Sequence, residues 1–245
     1  MESPNVGYIK QLSAIKEDSK NNVSAVKCNK TRRGYGKKNY RKYIKGIKDV
    51  DFSIMGNNCN GLFGKQESLK SVINKFKPSV ITLQETKLKR AGCVKLNGYQ
   101  TFEKLRPNCQ GGGGLMTAVD HDLNPVLIST GEEEDSEILT VQIKLGTQNI
   151  RIINAYGPQE DDSNTKIFSF WSEVENEVLK AKEENCFTLI QMDANSKIGK
   201  KEIKNNPHKV SKNVRILLDF VKRQGLVITR ERITTEKVEN QFWIT

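Results

Sequence analysis

The chain has 245 residues, 36% of them hydrophobic, with a mean hydropathy of −0.59, a formal net charge of +11 and an isoelectric point near 9.3. No apolar run reaches the ~18–20 residues of a membrane span, and the N-terminus lacks the apolar core of a secretory signal. Five scattered cysteines (Cys28, Cys59, Cys93, Cys109 and Cys186), never in Cys-x-x-Cys spacing, argue against a disulfide framework and a zinc site and point to a reducing, intracellular compartment.

This length suits one large domain or two small ones, and the low hydrophobic content implies that part of the chain is not core. The charge is unevenly spread. Residues 1–50 hold 13 Lys/Arg against 4 Asp/Glu, whereas the remaining 195 residues hold 27 against 25. The basic character therefore belongs to the first fifty residues, which show neither helical nor strand periodicity. Residues 1–47 read as a basic extension without ordered structure, and 48–245 as the folded domain. Within the extension, the tract 30–43 interleaves three tyrosines with Arg32, Arg33, Lys37, Lys38, Arg41 and Lys42. Three readings stand: a nucleic-acid arm whose cations neutralise phosphates and whose tyrosines stack on bases, a nuclear localisation signal, or a solvated leader.

The folded part opens with an apolar strand, Phe52–Met55, followed by the turn Gly56-Asn57-Asn58-Cys59-Asn60-Gly61-Leu62. Leu69, Val72, Ile73 and Phe76 then share one helical face, and Pro78 stops that helix. Residues 79–84 form a near-continuous apolar strand of the buried type, running into Gln84-Glu85-Thr86. A strand at Gly98–Phe102 follows, then the run Gly111–Gly114 leading into the strand Leu115–Val119. The glycines lack the Gly-Lys-Ser/Thr ending of a phosphate loop and precede a strand, so they read as a loop. His121 falls in a turn, and Glu132–Asp135 in a solvated acidic loop.

Ile138–Leu145 alternates with period two, and Arg151–Tyr156 is its hairpin partner, ending at Gly157-Pro158. A helix over 164–184 carries the stripe Ile167, Phe168, Trp171, Val174, Val178 and Leu179. The apolar strand Cys186–Met192 ends in Asp193-Ala194-Asn195. The polar segment 200–212 exposes His208. A helix over 213–224 presents Val214, Leu217, Leu218 and Val221, Gly225 ends it, and Leu226–Ile228 is a short strand.

Four apolar strands thus run straight into polar groups: Asn58/Asn60, Glu85, Asn154/Tyr156 and Asp193/Asn195. Four such endings, with carboxylates and carboxamides at most of them, fit a site gathered along one sheet edge. The residue types suit phosphodiester hydrolysis. A carboxylate can hold Mg²⁺, a second can take a proton from the attacking water, and amide and phenol donors can stabilise the pentavalent transition state.

The motifs Asn-Cys-Asn-Gly-Leu, Leu-Gln-Glu-Thr-Lys, Gly-Gly-Gly-Leu, Asn-Ala-Tyr-Gly-Pro and Met-Asp-Ala-Asn-Ser occur in order over residues 50–228. They closely resemble those of the endonuclease/exonuclease/phosphatase (DNase I-like) superfamily, and most closely its non-LTR retrotransposon endonucleases and their domesticated relatives. The resemblance implies an α+β fold, a four-layer α/β/β/α sandwich, and Mg²⁺-dependent hydrolysis of DNA, with Mn²⁺ as the alternative ion. It implies Glu85 as metal ligand with Asn60 beside it, and Asn58 positioning the phosphate or the general base. Tyr156 would contact the phosphate, Asp193 would activate water, and Asn195 would bind phosphoryl oxygens. DNA is the implied partner, with a reverse transcriptase encoded downstream in a full-length element.

One departure stands against these matches. The superfamily ends in a late-strand Asp and a Ser-Asp-His motif, and neither His121 nor His208 sits in such a context. The expectation is a copy incomplete at its C-terminus, with activity reduced or lost because contacts to one transition state act as a unit. A non-catalytic nucleic-acid-binding remnant is the alternative. A phosphodiesterase acting on lipid or inositol phosphates is a further one, disfavoured by the basic tract and by Tyr-Gly-Pro. All catalytic readings require the Glu85 and Asp193 carboxyls to lie within roughly 10 Å of each other, close enough to share an ion and its water.

Overall fold

The computed structural model describes residues 9–14, 52–107, 112–132, 136–196, 211–229 and 243–244. Arg32, Arg33, Lys37, Lys38, Arg41, Lys42 and His208 lie outside them. The elements in chain order are β1 (Ile9–Ala14), β2 (Ile54–Asn58), α1 (Gln66–Phe76), β3 (Val80–Gln84), β4 (Tyr99–Lys104), β5 (Leu115–Asp120) and β6 (Val126–Ser129). There follow β7 (Ile138–Leu145), β8 (Gln148–Tyr156), α2 (Asn164–Glu183), β9 (Phe187–Asp193), α3 (Lys212–Gln224), β10 (Leu226–Thr229) and β11 (Trp243–Ile244). They build two mixed sheets, ordered β10-β1-β9-β8-β7-β6 and β11-β2-β3-β5-β4.

Three apolar clusters separate four layers. Under α1, Leu69, Val72 and Ile73 meet Met55, Ile81, Leu83, Met116 and Ala118 of the second sheet. Between the sheets lie Ile54, Val80, Val119, Val141, Ile143, Ile150 and Ile152. Beneath α2 and α3, Trp171, Val174, Val178, Leu217 and Phe220 cover Ile138, Ile153, Ile190 and Met192. The architecture is the α/β/β/α sandwich that the motifs imply. Each buried aliphatic side chain contributes about 1.5–3 kcal/mol, so these clusters carry most of the stability.

The helix ends follow local chemistry. Lys77 closes α1 in the left-handed region (φ 44°), its N–H donating to Ile73 O at 2.8 Å, and Pro78 forbids continuation. Ser163 caps α2 by accepting from Lys166 N, Ser211 caps α3 by accepting from Val214 N, and Gly225 (φ 65°) ends α3.

Four sequence expectations are corrected. Residues 9–14, inside the segment read as unordered, form β1, which pairs antiparallel with both β9 and β10. The first strand of the domain is not Phe52–Met55. It begins at Ile54 and continues through Gly56, Asn57 and Asn58, which pair in parallel register with Thr82, Leu83 and Gln84 of β3. An unforeseen edge strand, β6, follows His121, because its exposed Val126, Leu127 and Ile128 gave no alternation to read. On α2 the buried stripe takes in Phe170, Glu173, Glu177 and Ala181, while Phe168 and Leu179 face solvent.

The inter-sheet layer changes character along its length. Its inward residues alternate as period two requires: Ile54, Gly56, Asn58 on β2; Val80, Thr82, Gln84 on β3; Ile150, Ile152, Asn154, Tyr156 on β8; Leu189, Gln191, Asp193 on β9. One half is apolar and the other polar. In the polar half, Asn154 accepts from Gln84 Nε2 at 2.7 Å and donates to Met116 O (2.9 Å), Thr117 Oγ1 (3.2 Å) and Leu83 O (3.3 Å). Thr82 Oγ1 donates to Gln191 Oε1 at 3.3 Å. At Gly56 a Cβ would lie 1.9 Å from that same Oε1, so glycine there makes room for the network.

Candidate active site

The site sits where the polar half of the layer reaches the surface, at the C-terminal ends of β2, β3, β8 and β9. At its centre is Asn58. Its Nδ2 donates to Glu85 Oε1 at 2.7 Å and to Asp193 Oδ2 at 2.8 Å. Two carboxylates from distant parts of the sequence therefore share one amide nitrogen, well inside the 10 Å that the chemistry demands. Asn58 Oδ1 in turn accepts from Asn60 N at 3.1 Å, an Asx turn that fixes the amide face.

Three site residues occupy the left-handed backbone region although none is glycine: Asn60 (φ 42°), Glu85 (φ 50°) and Asn195 (φ 45°). Such conformations cost of order 1–3 kcal/mol each and persist where surrounding bonds over-determine them. Here Gly61 N donates to Glu85 O (2.8 Å) and Leu62 N to Thr86 O (2.9 Å). From the other side, Thr86 N donates to Gly114 O (3.0 Å) and Lys87 N to Gly113 O (2.8 Å). The glycine run is thus not a free loop among its described residues, Gly112–Gly114. It is the clamp on the Glu85 turn, and its positive φ values and lack of Cβ atoms permit the approach.

Tyr156 pairs in register with Asp193. Its OH accepts from Gln159 Nε2 at 3.1 Å. Burial raises the phenol pKa above its ordinary value; the Asn195 amide opposes that rise, and the Glu85 and Asp193 charges reinforce it. The phenol stays protonated and is a donor at every working pH. Asn195 N donates to Asp193 Oδ1 (3.0 Å) and Asn195 Nδ2 to Gly157 O (2.6 Å), so this residue braces the Asp193 carboxylate and the β8 end together. Gly157 lies so close to Ala194 that a Cβ would stand 3.1 Å from its backbone. Cys59 is buried against Gln84 O, its thiol pushed up to about 12 by burial, and it carries no nucleophile.

Asn60 meets the Glu85–Asn58–Asp193 cluster through its backbone N–H, which donates to Asn58 Oδ1. The Asn60 Oδ1 accepts from Lys87 Nζ at 2.5 Å, and that ammonium lies 3.8 Å from Glu85 Oε2. A cation thus already stands between the two oxygens implied as metal ligands. Among the described residues no group of three His, Cys, Asp or Glu could hold a metal by itself. The Glu85 carboxylate on the open cleft, with the Asn60 amide oxygen beside it, nevertheless fits Mg²⁺, which keeps several waters and binds through one or two carboxylates. His121 is exposed beyond Asp120, at the sheet end opposite Glu85.

Beside this cluster lies a cleft of about 380 Å³, lined among others by Glu85, Lys87, Arg106, Glu137, Tyr156 and Lys166. Sequence reasoning missed Lys87, Arg106 and Glu137. Lys87 ends the Leu-Gln-Glu-Thr-Lys motif, where a lysine after a strand end is as ordinary as a solvated surface charge. Arg106 and Glu137 stand at strand ends where charged residues are ordinary.

No family model matches the sequence. Solved structures do match the fold. The chain is similar to the endonuclease domain of TRAS1, a telomere-specific non-LTR retrotransposon (18% identity, TM-score 0.56, 74% of each chain covered). It is also similar to the AP endonuclease LMAP from Leishmania major (17%, 0.56, 71% of this chain and 66% of that one). The APE2 catalytic domain of Xenopus laevis aligns comparably (16%, 0.55, 69% and 67%). The chain has the DNase I-like fold.

Proposed function

We propose that the chain hydrolyses phosphodiester bonds of DNA with Mg²⁺, or Mn²⁺, in the manner of a retrotransposon-type endonuclease. The observation that carries this reading is the single Asn58 amide shared by the Glu85 and Asp193 carboxylates. Asp193, buried and held by Asn58 and by the Asn195 peptide, is oriented to take a proton from an attacking water. Tyr156 donates to a phosphoryl oxygen, since its environment keeps the phenol neutral. Glu85 and Asn60, with Asn58 Oδ1 nearby, would hold the ion, displacing the Lys87 ammonium. When bound, it supplies Lewis-acid polarisation of the phosphate and charge neutralisation. The relatives in fold, an endonuclease domain of a retrotransposon and AP endonucleases, support a nuclease.

The second reading is a nucleic-acid-binding domain without catalysis. It is favoured by one observation: among the described residues no histidine reaches the site. A nicking assay on supercoiled plasmid with Mg²⁺ separates the two. Cleavage that disappears in Glu85→Ala and in Asp193→Ala supports hydrolysis. Salt-sensitive binding without cleavage, lost when Arg32, Arg33, Lys37, Lys38, Arg41 and Lys42 are changed together to glutamine with β1 left in place, supports the alternative.

A further inference from the structure

We propose that Glu137 is a positioning residue that sets Glu85 and Tyr156 against each other across the two sheets, an inference that rests on the hydrolytic reading above. Glu137 stands immediately before β7, buried, on the wall of the cleft. Its Oε1 accepts from Gly114 N at 2.6 Å and its Oε2 accepts from Arg106 Nη2 at 3.0 Å. Its own carbonyl accepts from Tyr156 N at 3.0 Å. Through the first bond it holds Gly114, whose carbonyl, with that of Gly113, receives the Thr86 and Lys87 amides just after Glu85. One residue thus fastens the peptide of the phenol and, by way of the glycine clamp, the strained turn of the metal-binding carboxylate.

Two further observations fit a positioning role rather than plain packing. There is no slack in the tether: a Cβ on Gly113 would lie 2.3 Å from Glu137 Oε1, and one on Gly114 would lie 2.8 Å from Thr86 Oγ1. The charge is also costly where it stands. Burial pushes the Glu137 carboxyl above its ordinary range, and the nearby Glu85 adds to this, while the Gly114 amide and Arg106 oppose it. A neutral glutamine would be cheaper to bury, but its Nε2 would face Arg106 donor to donor. Only a carboxylate accepts from both the clamp and the guanidinium, and the latter bond also holds Arg106 on the cleft wall where a backbone phosphate would pass.

The experiment compares Glu137→Gln, which keeps the acceptor toward Gly114, and Glu137→Ala, which loses both bonds, in the full chain. Backbone amide exchange reports the protection of Thr86, Lys87 and Tyr156 without any need for activity. Plasmid nicking at saturating Mg²⁺ reports kcat and KM separately. We expect amide protection at Thr86 and Lys87 to fall in Glu137→Ala, and less in Glu137→Gln. The kcat should fall by about a hundredfold and about tenfold respectively, with KM for DNA within about threefold of wild type. Unchanged protection overturns the proposal whatever the activity. So does lost protection with unchanged kcat, or an effect confined to KM. Should Glu137→Ala fail to fold, the Gln variant decides by the same criteria. Loss of protection in a protein whose wild type never cuts DNA upholds the tether and refutes the hydrolytic reading instead.

Discussion

Removing the Asn58 amide should both destabilise the metal-free protein and disable it. The 2.7 and 2.8 Å bonds from one nitrogen place the two accepting oxygens no farther apart than about 5.5 Å. At that separation and an effective dielectric of ~20, two full charges repel by about 3 kcal/mol. In Asn58→Ala the donor that offsets this repulsion is gone, and each lost bond to a charged acceptor is worth about 1.5–3 kcal/mol before water replaces it. Water can replace it in part, because the Glu85 side chain is 19% exposed. A net loss of about 2 kcal/mol is the reasoned figure, which for a domain of this size lowers Tm by about 4–8 °C. The measurement is thermal unfolding in EDTA and again with excess Mg²⁺, and the ion should restore much of the loss by neutralising the pair. Asn58→Asp adds a third carboxylate, so its drop in EDTA and its recovery with Mg²⁺ should both be larger. Nicking by Asn58→Ala should fall about a hundredfold, because Asp193 loses the partner that aims it. A Tm in EDTA within about 1 °C of wild type, together with nicking within about threefold, would refute the bridging role.

Other consequences can be checked independently. Tyr156→Phe should lower the nicking rate by about one to two orders of magnitude, by the same factor from pH 6 to pH 9, since burial keeps the phenol protonated throughout; a wild-type rate that collapses in that range with the phenol's ultraviolet titration contradicts this. Iodoacetamide at pH 8 should label exposed Cys93 rapidly and leave Cys59 untouched, because burial holds the Cys59 thiol near 12; peptide mass spectrometry reads the ratio. Asn154→Leu strands the Gln84 amide and three acceptors, and should lower the urea midpoint by about 2–4 kcal/mol equivalent at unchanged m. Glu137 has its folded pKa raised above an ordinary 4.5, so the native state binds the extra proton and stability falls as pH rises from 4.5 through the folded value. Glu137→Gln should flatten that limb of a denaturation series run in EDTA.

Much of this fold is written in period and punctuation. The stripe Leu69, Val72, Ile73 and the stop at Pro78 gave α1 to within a few residues, and Gly225 marked the end of α3 because a left-handed cap was needed there. What escaped notice is where tertiary pairing overrides local signal. Gly56-Asn57-Asn58 reads as a turn by composition, yet the β3 ladder holds it extended. Ile9–Ala14 (Ile-Lys-Gln-Leu-Ser-Ala) shows no period-two alternation, and its pairing with β9 and β10 is what makes it a strand. Glu173 and Glu177 sit on the buried face of α2, which no apolar stripe could announce; Glu173 is there to bind Ser136 Oγ and the Glu132 peptide beside the cleft.

The site itself was legible in type but not in wiring. Strand endings named Asn58, Glu85, Tyr156 and Asp193, because polar groups after apolar runs are visible in one dimension. The choice of Asn58 as the bridge was not visible, since that depends on the inward faces of β2, β3 and β9 meeting across the layer. A period-two reading carried further would have come closer. In β2, β3, β8 and β9 alike, the inward positions go from Ile, Val or Leu to Gly, Thr, Asn or Gln, and then to Asn, Gln, Tyr or Asp. A polar gradient repeated on four strands is costly to bury at random, because each amide must find its partners. It makes sense only if the strands align with their polar ends together, as the Gln84–Asn154 and Thr82–Gln191 bonds show they do. The buried amides are therefore not a by-product of the site. They fix the register of one sheet on the other, and a shift of two residues in any of these strands would leave them unpaired and carry Asn58 away from one of its two carboxylates.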